Sequence, residues 1–192
     1  SIRRQSEGVY AMLHFLAYER ENGRRHPEWE QKMKNMLDIL LQLQHEDGSF
    51  PRKFHDDFTI VDNSGGSTPS ATLPLIMGYK YFKDKRYLAS AKRTADYLEK
   101  VLISKADYFS STLDANCEDK EASLYAATAT YYLSLITKGD EHRHYADLTR
   151  KAAYFALSWY YVWDVPFAQG QMLGDIGLKT RGWGNVSVEN NH

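Results

Sequence analysis

The feature that most constrains this 192-residue chain is an apolar pattern that occurs twice, 57 residues apart. Both copies have the three- and four-residue spacing of an amphipathic helix. The paired positions are Leu88 with Tyr145, Ala91 with Leu148, Ala95 with Ala152, Leu98 with Phe155, and Leu102 with Trp159. A repeat of about 55 residues is longer than the roughly 34 of a tetratricopeptide repeat, and it indicates an array of helical hairpins. The chain is therefore predicted to be all-α.

Each predicted unit consists of a helix, a short turn, a second helix and a long loop. The hairpins cover about residues 6–44, 69–103 and 120–162, within a single domain that spans residues 1–192. Alternating stretches near 49–53 and 58–61 predict a small β-hairpin in the first long loop. All the long loops leave such an array at one end, and they carry Asp, Asn, Gly, His and aromatic residues, whereas the short turns are ordinary and charged. We therefore expect a functional site at that end.

Composition and charge narrow the function classes. The 24 basic residues nearly balance the 25 acidic ones, which gives little support to a nucleic-acid or anionic-membrane partner. No run of 18 apolar residues is present, so no membrane span is predicted. Cys117 is the single cysteine and cannot form an internal disulfide. His45 and His55 in one loop are a weak basis for a metal site. We predict no metal and no cofactor.

Three segments carry a resemblance to a known family. Residues 43–51 (Leu-Gln-His-Glu-Asp-Gly-Ser-Phe-Pro) follow a second helix, residues 65–69 (Gly-Gly-Ser-Thr-Pro) open the next first helix, and residues 119–122 (Asp-Lys-Glu-Ala) open the third. In this order the chain resembles the six-hairpin glycosidase superfamily, whose (α/α)6 toroids include glycoside hydrolases, unsaturated glucuronyl hydrolases and some polysaccharide lyases. The resemblance covers nearly the whole chain.

The resemblance implies a toroid in which first helices line the inside and second helices the outside. Only about three of six hairpins are present, so we expect either a fragment, completed by the remainder of the toroid, or two chains that complete a ring as a homodimer. The implied substrate is a carbohydrate, and the implied location is periplasmic or secreted. The alternative is an open α-solenoid with no catalytic role.

Glycoside hydrolysis needs two carboxyl groups beside the scissile bond. Asp114 and Glu121 are the first candidate pair, and Asp57 is a further catalytic candidate. Alternatively, Asp119 caps the fifth helix and Glu121 favours its first turn through the helix dipole. A sugar can stack its apolar face on an aromatic side chain, and its hydroxyls can form hydrogen bonds to polar side chains. The candidates for substrate binding are Phe54, His55, Asp56, Asn116, Trp163, Trp183, Glu189 and His192.

Several residues have structural interpretations beside these. Asp47 before Gly48 is typical of a turn, and Trp159 lies on the repeated apolar stripe and is predicted to be core. The leading functional hypothesis is a glycoside hydrolase-like enzyme. In the lyase alternative, His192 takes a proton and Arg181 neutralises a uronate carboxylate. The third hypothesis is a non-catalytic module that binds glycan or protein through the loop face.

Overall fold

The computed structural model describes residues 1–64, 68–107, 118 and 120–184, which are mostly helical. A π-helical turn, Leu98–Ile103, continues the fourth helix, and a two-stranded antiparallel ribbon pairs β1 (Lys53–Phe54) with β2 (Ile60–Asp62). The α-helices of the described residues are α1 (Ile2–Glu21), α2 (Pro27–Leu43), α3 (Thr68–Phe82), α4 (Lys85–Tyr97), α5 (Lys120–Ile136), α6 (Gly139–Leu157) and the short α7 (Met172–Asp175). The all-α prediction and the small β-hairpin are confirmed.

Two predicted helix ends were wrong. The first helix begins at Ile2 rather than near Ser6, because residues 2–5 contain no helix breaker. The last long helix ends at Leu157 rather than Val162. Ser158 Oγ donates a hydrogen bond to the Phe155 carbonyl at 2.6 Å, and Tyr160 leaves the helix to form a β-bridge with Gly184. The early start of α1 matters most, since it brings four more residues into the helix.

The helices pack in two rows. Helix α3 packs against both α1 and α5, while α2, α4 and α6 lie behind α1, α3 and α5 respectively. Every residue from Thr68 to Gly78 is buried, so α3 is enclosed on all sides over three turns. A Cβ atom added to Gly78 would lie 2.5 Å from Leu37 Cδ1 of α2, which explains a glycine in mid-helix.

The row α1–α3–α5 is curved. The Tyr10 hydroxyl of α1 lies 2.9 Å from the Tyr132 hydroxyl of α5, although α3 lies between the two helices. Side chains from α1 and α5 can meet only in front of α3, on the side opposite the second row. That side is therefore concave, and α1 and α5 partly close over it.

The core confirms the helical repeat. Seven of the ten paired positions are less than 5% exposed, and Trp159, at 9%, is core as predicted. Leu88 and Phe155 are partly buried and pack against the same core. The corresponding buried pairs are Ala91 with Leu148, Ala95 with Ala152, and Leu102 with Trp159.

Residues 44–50 form a rigid joint between the first hairpin and α4. The Gln44 side chain donates to the Ser90 carbonyl at 3.0 Å and to Thr94 Oγ1 at 2.9 Å. Asp47 accepts from the Ser49 backbone N–H at 2.9 Å, which confirms the predicted turn. Gly48 has φ +90°, and its backbone lies directly against the Arg93 carbonyl. Residues 43–51, the first of the three segments that carry the family resemblance, thus pack the first hairpin against α4.

None of the helices in residues 1–64, 68–107 and 120–184 is long and apolar enough to cross a membrane.

Candidate functional site

The concave side of the row carries a line of polar and aromatic residues, which we call the seam. On α1 its members recur with spacings of four, three and four residues, and the members on α5 are four and seven residues apart, which also keeps them on one helix face. The seam consists of Arg3, Glu7, Tyr10 and His14 on α1 and of Glu121, Tyr125 and Tyr132 on α5. Because Arg3 meets Glu121 near the starts of both helices, α1 and α5 run parallel, and the seam begins at the end that carries the long loops.

An arginine joins two carboxylates at this open end. Arg3 Nε donates to Glu7 Oε1 at 2.9 Å, and the Arg3 guanidinium also forms an ion pair with Glu121. The Tyr125 hydroxyl donates to Glu7, and the Arg3 guanidinium carbon lies 5.8 Å from the centre of the Tyr125 ring. Glu7 and Glu121 are therefore two carboxylates held beside one guanidinium, and glycoside hydrolysis likewise uses two carboxyl groups.

These contacts fix the charge states at the open end. Burial would raise the pKa of Glu7, but the hydrogen bonds from Tyr125 and Arg3 outweigh it and hold that pKa below its usual value. Burial would lower the pKa of Arg3, but the hydrogen bond to Glu7 and the charge of Glu121 raise it instead. The pKa of Tyr125 is raised by burial and by its hydrogen bond to Glu7, so its hydroxyl stays protonated. Glu7 is therefore a carboxylate beside a cation at neutral pH.

The far end of the seam lies against apolar side chains of α3 and α5, among them Ile76, Leu135 and Ile136. Burial and the bond to Tyr132 raise the pKa of Tyr10, and the Tyr10 ring meets the His14 ring edge-on at 4.6 Å. Below them lies a cavity of about 110 Å³. Its walls are His14, Ile76, Met77, Lys80, Tyr132, Leu135 and Ile136. A second pocket of about 250 Å³ adjoins this cavity and shares His14, Met77 and Lys80 with it.

Two long loops flank the open end. The Ile2 backbone N–H donates to the Arg52 carbonyl at 3.1 Å, which places the β-ribbon beside the start of α1. Lys120 Nζ lies 5.5 Å from the centre of the Tyr160 ring at the start of α5. Tyr160 forms a β-bridge with Gly184, so the loop that carries Trp183 adjoins α5. Loops from both sides therefore meet the seam where its two carboxylates lie.

The predicted residues of the β-ribbon have mixed surroundings. His55, Asp56 and Asp57 are exposed at its tip. Asp57 accepts a hydrogen bond from the Thr59 backbone N–H at 2.9 Å, which lowers its pKa and gives it a role in the turn. Phe54 packs against the core. These residues border the site, and the described contacts join none of them to the carboxylates of the seam.

Two predicted tryptophans lie on the surface, with Trp163 63% and Trp183 54% exposed. The Trp183 backbone is held firmly, since its carbonyl accepts from the Tyr161 N–H at 2.8 Å and its own N–H donates to Thr180 at 2.9 Å. An exposed aromatic ring on a fixed backbone is the geometry of a stacking platform. Arg181, considered for uronate binding, pairs with Asp164 at 3.3 Å.

Several predicted site residues lie outside the described residues, namely Asp114, Asn116, Asp119, Glu189 and His192. Glu121, the described member of the first candidate pair, lies in the first turn of α5 and is 38% exposed in its side chain. Glu121 thus fits both interpretations: it is an acidic residue in the first turn of a helix, and through its contact with Arg3 it also belongs to the seam. Within the described ranges no three His, Cys, Asp or Glu side chains are grouped to hold a metal ion.

Sequence reasoning identified only Glu121 of the seam as a site residue. The signal was present as polar and aromatic residues at positions 3, 7, 10 and 14 and at positions 121, 125 and 132, each set on one face of a helix. Arg3 was overlooked because the first helix was expected to begin only near Ser6, and the others because polar and aromatic residues on a helix face are usually structural or solvated.

We compared the chain with known proteins. No protein-family model matches it, and no solved structure matches it at a significant level.

Replacing the bridging arginine tests the electrostatics of the seam. We expect Arg3→Met to lower the free energy of unfolding at neutral pH by about 2 kcal/mol, less than the ~3–5 kcal/mol of a fully buried pair, because both carboxylates keep partial exposure. Because the pKa of Glu7 is lower in the folded chain, its ionisation stabilises the fold at any pH above the ordinary glutamate pKa. This stabilisation is lost as the pH falls below that value. The gap between variant and wild type should therefore shrink on acidification.

The measurement is urea unfolding followed by circular dichroism between neutral pH and about pH 3, because the stabilisation is lost only below the ordinary glutamate pKa. Arg143→Met is the matched control, because Arg143 is 73% exposed and pairs only on the surface of α6 with Asp140. A loss in Arg3→Met that matches this control at every pH would show that the two carboxylates do not depend on Arg3.

Proposed function

We propose that the chain is part of a carbohydrate-active protein of the (α/α)6 toroid type, with a glycoside hydrolase-like site at the open end of the seam. The observation that supports it most is the pair of carboxylates, Glu7 and Glu121, held by one arginine on the concave side of three parallel inner helices. The order of the helices supports the toroid, since α1, α3 and α5 form one row and α2, α4 and α6 form the other.

The surroundings suit a sugar. Pyranose rings offer apolar faces that stack on aromatic side chains and hydroxyls that bond to charged and polar groups. Trp183 and Trp163 provide exposed rings in the loops after α6, and Tyr125 provides a protonated hydroxyl beside the carboxylates. A saccharide chain lying across the loop end would contact both kinds of group.

The proposed chemistry divides the two carboxylates by role. Glu7, with its lowered pKa, is the ionised group and acts as base or nucleophile. Glu121 is the proton donor; it is more exposed and lies in the first turn of α5, next to the residues that precede that helix. In this role the glycosidic oxygen of the substrate would take the place of the Arg3 guanidinium beside Glu121.

A non-catalytic glycan-binding module is the second candidate, and one observation favours it. Each described carboxyl group with a shifted pKa has it lowered, including Glu7, Asp57 and Asp164. A general acid at neutral pH needs a raised pKa. A site of ionised carboxylates and aromatic rings can bind sugar hydroxyls without cleaving the chain.

The lyase alternative has less to support it. Arg181 is engaged by Asp164, and a uronate carboxylate would have to compete with that ion pair.

The test is a panel of neutral and uronate-containing oligosaccharides offered to the purified chain. Titration calorimetry measures binding, a reducing-end assay measures hydrolysis, and ultraviolet absorbance detects the unsaturated product of a lyase. New reducing ends without absorbance support the hydrolase, and binding without any product supports the module. The absence of both binding and product across the panel would refute the proposal.

A further inference from the structure

Two adjoining cavities lie on the concave side of the row, at the end away from the long loops and near the last turns of α1, α3 and α5. The first has a volume of about 110 Å³ and the second about 250 Å³. We call them the small cavity and the adjoining pocket. His14, Met77 and Lys80 line both, so these residues mark the boundary between the two spaces. A ligand at this boundary would contact residues of both.

The residues that line only one of the two spaces differ in polarity. Those that line only the small cavity are mainly apolar, namely Ile76, Leu135 and Ile136, together with Tyr132. Arg20 and Glu21 are charged and line only the adjoining pocket. Lys80 lies at the boundary. Such an arrangement, with an apolar space beside a few charged groups, suits a ligand with an apolar body and a charged head.

Lys80 is a cation without a counter-ion among the residues that the structure describes. Within residues 1–64, 68–107, 118 and 120–184, its ammonium group forms neither an ion pair nor a hydrogen bond. A lysine ammonium has three N–H donors. These donors are therefore available to an anion at the boundary of the two spaces.

Arg20 is a second cation, and its position is fixed by Tyr81. The Arg20 guanidinium carbon lies 3.9 Å from the centre of the Tyr81 ring, and Nη1 donates to the Tyr81 carbonyl at 3.3 Å. In the described part of the chain this is the one hydrogen bond of a side chain that has five N–H donors. Glu30, which accepts from the Tyr81 hydroxyl, is engaged by Arg25 at 2.8 and 2.6 Å. Arg20 therefore keeps donors for a ligand.

The charges around the adjoining pocket favour an anion. Arg20 and Lys80 bring two positive charges to its walls, and Glu21 brings one negative charge. His14 adds a polar ring that is held edge-on against the Tyr10 ring at 4.6 Å. The excess of one positive charge matches a single carboxylate. An inorganic anion would use the cations but would leave the apolar cavity without a partner.

The size of the small cavity limits the apolar body of the ligand. An apolar cavity of about 150 Å³ holds one benzene molecule, and the small cavity has about 110 Å³. It therefore suits a short branched chain, or a single ring whose polar edge lies at the boundary. The charged head of such a ligand then lies beside Lys80 and the adjoining pocket.

We propose that this end of the concave side binds a small organic carboxylate, whose apolar body occupies the small cavity and whose carboxylate is bound by Lys80 and Arg20. The site lies at the opposite end of the seam from Glu7 and Glu121. The inference does not depend on the proposed carbohydrate activity, since its test measures the binding of simple acids alone.

The test titrates the purified chain with benzoate and with 3-methylbutanoate. Nuclear magnetic resonance follows the histidine ring signals, and a His14→Gln variant identifies the signal of His14. We expect at least one of the two acids to bind saturably and to shift this signal, with a dissociation constant of about 1 mM or tighter. Benzamide has the shape of benzoate without its charge, and acetate has the charge without an apolar body. Each should bind at least about tenfold more weakly.

Substitutions locate the carboxylate. Lys80→Met and Arg20→Met should each weaken binding of the acid by about tenfold or more, because each removes a charge-assisted hydrogen bond. Glu21→Gln should strengthen binding, since it removes the negative charge from the wall. Lys34→Met removes an exposed lysine of α2 and is the matched control, with no change expected. Circular dichroism checks that the helices form, and Lys80→Met tests the site even where Arg20→Met disturbs the contact with Tyr81.

Several outcomes would overturn the proposal. An unchanged affinity in Lys80→Met would leave Lys80 with the role of a cation that stabilises the last turn of α3. Benzamide, acetate or phosphate binding as tightly as the best acid would show that the site does not require a charged head and an apolar body together. Weaker binding in Glu21→Gln would indicate a ligand with a cationic group. The absence of saturable binding of either acid up to about 20 mM would refute the site itself.

Discussion

Gly48→Ala should lower the free energy of unfolding by about 3 kcal/mol or more, one of the two largest effects expected from a single substitution in this protein. Two independent costs combine at this position. Gly48 has φ +90°, a conformation that L side chains rarely adopt. An added Cβ would also lie 2.2 Å from the Arg93 carbonyl oxygen, and backbone cannot move aside as a flexible side chain can. The joint between the first hairpin and α4 must therefore open.

Gly23→Ala separates the two costs. Gly23 has φ +77°, but an added Cβ would meet nothing within 4 Å. This control should lose only the conformational part, about 1 kcal/mol. Urea unfolding of both variants gives the comparison. Equal losses in the two variants would mean that the contact of Gly48 with α4 contributes nothing to stability.

Glu7→Gln and Glu121→Gln should each reduce kcat/KM for the cleaved oligosaccharide by about a hundredfold or more, if the chain is the hydrolase proposed. Glutamine has nearly the shape of glutamate but neither gives nor takes the proton that hydrolysis requires. Binding should persist, because hydroxyl groups of a sugar also bond to an amide. Asp57→Asn should leave kcat/KM nearly unchanged, since Asp57 serves the turn of the β-ribbon.

The pH profile and the leaving group distinguish the roles of the two glutamates. Glu7 has a lowered pKa, so it should be ionised throughout the working range, and its loss should remove activity at every pH. Loss of a proton donor at Glu121 should instead be much less harmful for a glycoside whose leaving group departs without protonation, such as a nitrophenyl glycoside. Variants that lose binding and turnover together, with wild-type stability, would assign both residues to sugar binding and favour the non-catalytic module.

The extent to which the sequence predicted this protein differs between its fold and its site. Helical periodicity is a local property, so the paired positions of the repeat, such as Ala95 and Ala152, could be assigned to the core from spacing alone. The turn at Asp47-Gly48 was equally predictable because Asp-Gly has a strong intrinsic preference. The contact of Gly48 with Arg93 was not, since it depends on how the loop meets α4.

The site depends on contacts that no local pattern contains. Arg3 and Glu121 are 118 positions apart in the sequence, and they meet because α1 and α5 pack on two sides of α3 in a curved row. The loops attracted attention because their acids are densely grouped, yet Asp57 and Asp47 use their carboxylates to stabilise turns. Acidic residues on helix faces, such as Glu7, were passed over because such residues are usually solvated. A search for matching polar stripes on α1 and α5 would have found the seam.

The enclosure of α3 affects how a protein of this kind can change its length. Buried from Thr68 to Gly78, α3 contacts neighbours on every side, so a deletion of the middle hairpin would expose both flanking hairpins at once. The faces of α1 and α5 that lie away from α3 have no such dependence. Loss of a terminal hairpin would therefore uncover only one side of α3, whereas loss of the middle hairpin would leave both remaining hairpins without the helix that joins them.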